Sequence, residues 1–163
     1  MAEPQPDRPH IPPRHHPAHP PPVRRHNVPV IVPVTVCTAD RRELLANPMV
    51  HGALRTAWDG ARKWLVGYYM IMPDHLHLFC APGCSAPPAV KVWGRYWKRL
   101  VSQAVSALYG QWIPDCWDTQ MRSQEHYVRK LEYVAANPVR KGLVERSEDW
   151  PYQGKMNELP WIL

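Results

Sequence analysis

The sequence predicts one domain of mixed α and β structure, and three observations lead to this. Residues 30–38 are rich in β-branched side chains, which favour a strand. Two apolar and aromatic runs, 64–72 and 75–80, flank the turn pair Pro73-Asp74 and are typical of two neighbouring strands. Three further segments repeat their apolar residues at helical spacing. With 163 residues, the chain is long enough to bury a core around these elements.

The first strand and the first helix follow from local residue preferences. Pro33 lacks a backbone donor, so part of the first strand is expected at a sheet edge or a bulge. Residues 48–63 predict a helix, because Pro48 suits the first helical turn. The apolar positions that recur at helical spacing in this segment are Val50, Leu54, Ala57, Trp58 and Ala61.

The segment 89–109 carries the clearest helical pattern. Its apolar stripe consists of Trp93, Trp97, Leu100, Val101, Ala104 and Leu108, and a separate stripe carries Lys91, Arg95, Lys98 and Ser102. The basic side chains are candidates for phosphate contacts, although a solvated helix face often has the same pattern. Residues 111–122 are irregular, and we expect Trp112 and Trp117 to be buried in a short strand or loop there.

The last helix is predicted over residues 123–136, with Ser123 as its N-cap. Asn137-Pro138 should end or bend it, because the residue before a proline disfavours helical backbone. On a helical wheel, Tyr127 falls in the apolar stripe and Tyr133 falls nearly opposite. Tyr133 therefore either covers another surface or has a functional role. Asn137 lies one turn later on the same side and is either a helix-ending residue or a ligand.

His75 and His77 are two residues apart in a predicted strand. Side chains alternate across a strand, so both imidazoles point to the same side while Leu76 points to the other. Two nitrogens on one side can bind a metal ion, and the amide oxygen of Asn137 could complete that site. Two unconnected surface histidines are the alternative at this spacing. A third hypothesis is a zinc-stabilised binding module formed by His75, His77, Cys80 and Cys84, although Cys80 points to the side opposite the histidines.

Residues 1–28 differ in composition from the rest, holding nine of the 20 prolines and five of the nine histidines. Proline at this density excludes helices and central strands, so we expect a disordered or polyproline-like tail ahead of a domain at 29–163. The arginines of this tail could attract phosphates. A solvated extension without a specific role is the alternative.

Charge, cysteine content and hydropathy bound the function. A net charge of +6 favours a polyanionic partner without identifying it. The chain has four cysteines, too few for a disulfide framework, so they are expected to be reduced. No apolar run approaches the roughly 20 residues of a membrane span. The amino terminus lacks the apolar region of a secretory signal, so a cytoplasmic location is expected.

Three sequence blocks together resemble the REP-associated tyrosine transposases, a branch of the HUH single-tyrosine transposases and relaxases. The blocks are Val34-Thr35-Val36-Cys37-Thr38-Ala39-Asp40-Arg41-Arg42, then Tyr69-Met70-Ile71-Met72-Pro73-Asp74-His75-Leu76-His77-Leu78, and finally Tyr133-Val134-Ala135-Ala136-Asn137-Pro138-Val139-Arg140-Lys141-Gly142-Leu143-Val144 with Asp149-Trp150-Pro151-Tyr152. The Met-Pro-Asp-His-Leu-His string joined to Asn-Pro-Val-x-x-Gly-Leu-Val is highly specific. One departure is Thr119, which stands where many members have a histidine after the tryptophan.

The resemblance implies a fold and a set of roles. The fold is a ferredoxin-like α+β arrangement, an antiparallel sheet flanked by helices, with the histidines on a central strand and the tyrosine on a helix above it. His75, His77 and Asn137 would bind a divalent ion, Mg²⁺ or Mn²⁺, and Tyr133 would be the nucleophile. Lys130 is a candidate to assist the tyrosine. Residues that could contact phosphates are Lys91, Arg95, Lys98, Arg122, Lys130, Arg140 and Lys141.

The implied activity is cleavage and transfer of single-stranded DNA next to a palindromic hairpin, through a 5′-phosphotyrosine intermediate, as in DNA transposition. The partner would be single-stranded or hairpin DNA, with no obligate protein partner and a monomer favoured over a dimer. The alternative is a DNA-binding regulator that keeps hairpin recognition and has lost cleavage, since Thr119 departs from the family pattern.

Overall fold

A five-stranded antiparallel sheet forms the centre of the molecule. The structure is a computed structural model that describes residue 19, residues 21–23 and residues 29–159. Its strands are β1 Val32–Cys37, β2 Trp64–Ile71, β3 His75–Pro82, β4 Trp117–Asp118 and β5 Gln153–Lys155, and its helices are α1 Pro48–Gly60, α2 Val90–Ala104, α3 Gln124–Ala135 and α4 Asn137–Arg140. The spatial order of the strands is β4-β1-β3-β2-β5, with every pairing antiparallel.

The first six elements follow the order β-α-β-β-α-β, which is that of the ferredoxin-like fold. Both helices of this unit, α1 and α2, pack on one face of the sheet against apolar side chains such as Leu76 and Leu78. The other face carries α3 and the segment after it, which bury residues such as Phe79, Tyr127 and Val134. The predicted ferredoxin-like sheet flanked by helices is therefore confirmed, and α3 lies on the face that the ferredoxin-like helices leave open.

Local signals explain where two of the helices begin. The Asn47 side chain caps α1 by accepting a hydrogen bond of 3.0 Å from the Val50 backbone N–H. The Ser123 hydroxyl caps α3 in the same way, at 3.1 Å from the His126 backbone N–H. The predicted break at Asn137-Pro138 is present: α3 ends at Ala135 and α4 begins at Asn137. The Pro33 carbonyl points toward the side of β1 that carries the two-residue strand β4, since the Thr119 N–H donates to it. The backbone N–H that proline lacks would point the same way.

Several expectations about this fold are wrong. Helix α2 ends at Ala104 rather than near residue 109, because Val105 is extended and a short 3₁₀ turn then brings Leu108 into the core. Trp117 is 38% exposed rather than buried, since it lies on the edge strand β4. Strand β5 was not predicted, because Gln153, Gly154 and Lys155 lack the β-branched and aromatic side chains that mark a strand. Most of the predicted proline-rich tail lies outside the described residues.

Candidate active site

The two histidines begin β3, in the middle of the sheet. Strand β3 pairs with β1 on one side and β2 on the other, so that His77 lies between Thr35 and Met70. Leu76 points into the core beneath α1 and α2, while His75 and His77 point to the face that carries α3. Their ring centroids are 5.0 Å apart. The prediction that both imidazoles share one side of a strand is confirmed.

His75 is held by a carboxylate that an arginine fixes in turn. Its Nδ1 lies 2.6 Å from Asp74 Oδ1, and Arg41 Nε lies 2.7 Å from the other oxygen of Asp74. Asp40 and Arg41 both have left-handed backbone, with φ of 54° and 55°, a conformation that is costly for non-glycine residues. This turn directs the Arg41 guanidinium toward the histidine, with Nη2 3.4 Å from His75 Nδ1.

His77 lies between a hydroxyl and an amide. Its Nδ1 is 2.9 Å from Thr35 Oγ1, and its Nε2 is 3.0 Å from Asn137 Nδ2. An amide nitrogen can only donate, so His77 Nε2 accepts and the ring proton is on Nδ1, which donates to Thr35. His75 is arranged in the same way, because an ionised carboxylate at Nδ1 accepts the ring proton. Both Nε2 atoms therefore present lone pairs, as metal-binding histidines do.

The pKa values of His75, His77 and Asp74 favour neutral imidazoles whose Nε2 atoms carry lone pairs. Burial lowers the pKa of His77 to about 3, and the charge that His75 carries when protonated, with the charges of Lys130 and Arg140, acts in the same direction. Burial also lowers the pKa of His75, despite the opposing effect of the Asp74 carboxylate. Burial alone would raise the pKa of Asp74, but its hydrogen bond with His75 and the charge of Arg41 lower it overall. At neutral pH the histidines are neutral and Asp74 is ionised.

Arg140 connects Asn137 to Tyr133. Its Nη2 donates to Asn137 Oδ1, and its Nη1 donates to the Tyr133 backbone carbonyl at 2.8 Å. The same guanidinium lies over the Tyr133 ring, 3.9 Å from the centroid. A continuous series of contacts thus runs from His77 through Asn137 and Arg140 to Tyr133. The Tyr133 side chain is itself 58% exposed, so its hydroxyl has access to a ligand outside the protein.

The wheel prediction for the last helix is confirmed. Tyr127 is buried, 5% exposed, in the core cluster between α3 and the sheet, whereas Tyr133 points outward. Lys130, one turn before Tyr133, places its Nζ 5.3 Å from the centroid of the Tyr133 ring. Two cations, Lys130 and Arg140, therefore lie close to the phenol ring.

Six of the seven predicted phosphate-contacting residues fall into two groups. Lys130, Arg140 and Lys141 surround the histidines, and their positive charges act on the histidine pKa values. Lys91, Arg95 and Lys98 lie on α2, on the opposite face of the sheet, and are not brought to this site.

Two residues of that second group have structural partners. Lys98 is 6% exposed, and its Nζ donates to the Ile113 and Pro114 carbonyls. Lys91 pairs with Asp115 at 3.2 Å. The basic stripe predicted for α2 is thus partly a buried packing surface. Arg122 is exposed just before α3.

Four residues near the histidines were not predicted as site residues: Thr35, Arg41, Asp74 and Trp117. Asp74 was interpreted as part of a turn, although an acidic residue next to a metal-binding histidine is a common partner. Trp117 pairs with Thr35, which in turn pairs with His77, so the three side chains share one row on one face of the sheet. Because strands lie about 4.8 Å apart, Trp117 is roughly 10 Å from His77.

The hypothesis of a zinc module formed by His75, His77, Cys80 and Cys84 is contradicted. Cys80 is fully buried in the core cluster beneath α1 and α2, on the face opposite the histidines. A sheet therefore separates its sulfur from both imidazoles.

None of the helices within the described residues combines the length and apolar character needed to span a bilayer.

Comparison with known proteins gives relatives by both sequence and structure. No family model matches the chain. Its sequence is similar to that of the REP-associated tyrosine transposase of Escherichia coli (strain K12), with 25% identity over 104 residues, 63% of this chain. The match spans 59% of the length of that curated relative.

Its structure is similar to that of a REP-associated tyrosine transposase bound to a REP hairpin, with a TM-score of 0.66 and 24% identity over 80% of each chain. A putative transposase from Deinococcus radiodurans R1 gives a TM-score of 0.48 and 18% identity, covering 69% of this chain and 93% of the other. The resemblance to the REP-associated tyrosine transposases that the sequence motifs indicated is thus confirmed, in sequence over 104 residues and in fold over 80% of the chain.

Proposed function

We propose that this protein cleaves and rejoins single-stranded DNA beside a hairpin, with Tyr133 as the nucleophile. The observation that carries the proposal is the series of contacts from His77 through Asn137 and Arg140 to the Tyr133 ring. It ties an exposed phenol to a pair of neutral imidazoles, the combination that a metal-assisted tyrosine nuclease requires. Similarity to a protein named as a tyrosine transposase, and to one bound to a REP hairpin, supports this assignment.

The donor set fits a divalent cation. His75 and His77 each present Nε2, with Nδ1 held by Asp74 and Thr35 respectively. Bound there, Mg²⁺ or Mn²⁺ would polarise the scissile phosphate. Asn137 reaches the same place, but its amide nitrogen faces His77 because Arg140 holds its oxygen. Asn137 can act as an oxygen ligand only after its amide turns over and leaves Arg140.

Tyr133 carries out the proposed chemistry by in-line attack. The phenol gives up its proton to solvent, its Oη forms a bond to phosphorus and the P–O3′ bond breaks, which gives a 5′-phosphotyrosine and a 3′-oxygen that takes up a proton from solvent. Arg140 and Lys130 lie beside the phenol ring and stabilise the negative charge that develops on its oxygen. Attack on the phosphotyrosine by another 3′-hydroxyl reverses these bond changes and releases Tyr133.

The DNA strand is proposed to run across the face that carries the histidines. Four cations surround the site on this face, namely Arg41, Lys130, Arg140 and Lys141, and they would neutralise backbone phosphates. Trp117 offers an exposed ring on the same face, at the edge of the sheet, where an unpaired base could stack. Lys91, Arg95 and Lys98 do not belong to this path.

Replacement of Tyr133 tests the proposal. A hairpin-bearing oligonucleotide incubated with Mn²⁺ should form a covalent adduct that survives denaturing electrophoresis. Tyr133→Phe should abolish the adduct and leave hairpin binding largely unchanged, because only the attacking oxygen is lost. Tyr127→Phe, on the buried face of the same helix, is the matched control and should keep the adduct. Persistence of the adduct in Tyr133→Phe would refute the assignment.

The second candidate function is a hairpin-binding regulator without cleavage activity. The observation in its favour is Thr119, which stands where related proteins often have a histidine and which lies on the same sheet face as Trp117 and His77. The two functions differ in one measurement. A regulator binds the hairpin and leaves it intact at every concentration of Mg²⁺ or Mn²⁺, whereas the proposed nuclease nicks it.

A further inference from the structure

A second group of metal-binding side chains lies at the other side of β1, away from the histidine pair. His19, from the segment rich in proline and histidine, reaches the loop before β4 and β4 itself. Its Nε2 lies 2.6 Å from Asp115 Oδ1, and its Nδ1 contacts Asp118 Oδ1. The ligand atoms of His19, Cys116 and Asp118 all lie within 4.8 Å of one another.

Two of these side chains are shielded from solvent. Cys116 is 2% exposed, and the Asp118 side chain is 8% exposed. The nearby Lys98 directs its Nζ to two backbone carbonyls. A bound divalent cation would supply positive charge beside Cys116 and Asp118, toward which Lys98 does not direct its Nζ.

The imidazole of His19 is only partly satisfied by the protein. Its Nε2 is buried and makes no hydrogen bond within the described residues, although Asp115 Oδ1 lies 2.6 Å away. Asp115 is itself fixed, by Lys91 at 3.2 Å and by the Cys116 backbone N–H at 2.9 Å. A buried imidazole nitrogen without a partner among the described residues, next to a fixed carboxylate, is an arrangement that a bound cation would satisfy.

We propose that His19, Cys116 and Asp118 form a Zn²⁺ site that fastens the proline-rich segment to the edge of the sheet. One nitrogen, one sulfur and one oxygen ligand are a set that zinc binds, with a fourth position for water or Asp115. The site is independent of the proposed nuclease function, because none of its ligands lies in the histidine pair.

The site would order an edge strand that is otherwise weak. Strand β4 has two residues and pairs with β1 alone. A second contact acts beside the proposed site: the Gln120 side chain accepts from Val23 N–H at 2.7 Å and donates to Val23 C=O at 2.8 Å. Metal binding at His19 and the hydrogen bonds of Gln120 would together fix β4. The side chain of Trp117, on the opposite side of the strand from Asp118, would be fixed with it.

Cobalt spectroscopy of the full chain tests the proposal, because a thiolate bound to Co²⁺ gives a near-ultraviolet charge-transfer band. The metal-free, reduced protein is titrated with Co²⁺, and we expect this band to saturate at one equivalent. The pair His75 and His77 contributes no thiolate, so His77→Ala should keep the band. Histidines elsewhere in the proline-rich segment likewise bind Co²⁺ without producing it.

Variants then identify the ligands. His19→Ala and Cys116→Ser should each abolish the charge-transfer band, whereas His26→Ala and Cys84→Ser, the matched controls, should keep it. With the histidine pair broken by His77→Ala, Zn²⁺ should raise the Tm of the chain that keeps His19 and not that of the chain that also carries His19→Ala, which removes no core side chain. Absence of the band in the Co²⁺-saturated wild type would overturn the proposal in favour of a metal-free ion pair between His19 and the carboxylates. Retention of the band in His19→Ala would equally overturn it.

Discussion

Thr35→Val tests whether the hydroxyl beside His77 sets the metal affinity of the site. Thr35 Oγ1 is the group that accepts the Nδ1 proton of His77, at 2.9 Å. Valine has nearly the same shape and no acceptor, so the substitution removes this hydrogen bond and leaves the backbone of β1 unchanged. His77 would then lose the partner that keeps its Nε2 lone pair directed away from the sheet.

The size of the effect follows from the cost of that lost partner. A buried donor without an acceptor costs about 1–3 kcal/mol, which corresponds to roughly 5- to 150-fold in an equilibrium constant. Loss of an outer partner of a metal-binding histidine typically costs about 10- to 100-fold in metal affinity. We therefore expect the Mn²⁺ concentration at half-maximal nicking to rise by about 10- to 100-fold. The rate at saturating Mn²⁺ should largely recover.

The assay is nicking of a 5′-labelled, hairpin-bearing oligonucleotide over a titration of Mn²⁺. Thr56→Val, at an exposed position of α1 beneath the other face of the sheet, is the control and should keep the wild-type midpoint. Thermal unfolding of both variants checks that the fold is intact. An unchanged Mn²⁺ midpoint in a folded Thr35→Val protein would refute the role assigned to the hydroxyl.

The remaining predictions concern acid stability, base stacking and a helix cap. Because burial lowers the pKa of His77 to about 3 from 6.5, the unfolded chain takes up a proton that the folded chain does not. When the pH is lowered from 7.5 to 5 in EDTA, the free energy of unfolding of the wild type should therefore fall by about 2 kcal/mol more than that of His77→Gln. Urea denaturation measures both values. Equal losses of unfolding free energy in the two proteins would contradict the predicted effect of His77 on acid stability.

Trp117→Ala should weaken single-stranded DNA binding by about 1–3 kcal/mol in a titration, and Tyr96→Ala on α2 should not. Asn47→Ala should lower the free energy of unfolding by about 1 kcal/mol in urea, because the Val50 N–H loses its cap. An unaltered affinity in Trp117→Ala, or unaltered stability in Asn47→Ala, would count against those roles.

Alternation in strands and periodicity in helices predict most of the fold, because both depend on residues that are neighbours along the chain. Alternation within 75–80 places His75 and His77 on one side of β3, and the helical wheel separates Tyr127 from Tyr133. Strand β5 is different. Its three residues have little intrinsic preference for a strand, and their pairing with β2 depends on where the chain after α4 returns to the sheet.

The partners of the histidines depend on the register of the sheet. Thr35 meets His77 because β1 and β3 pair with Thr35 opposite His77, and a shift of one residue would replace it with a side chain from the other face. Neither strand alone contains that information. The burial of Lys98 has the same kind of cause, since the carbonyls that accept its protons belong to the loop before β4.

The amide of Asn137 shows how the break between α3 and α4 shapes the site. Pro138 cannot continue α3, so Asn137 starts a new short helix and places Arg140 one turn later on the same side. Arg140 can then reach back to the amide oxygen and to Tyr133 at once. A cation held by His75 and His77 in the proposed site would need the same amide oxygen. Arg140 and that cation would therefore compete for Asn137, and metal binding would release a guanidinium beside the phenol, where the proposed attack on a scissile phosphate would need positive charge.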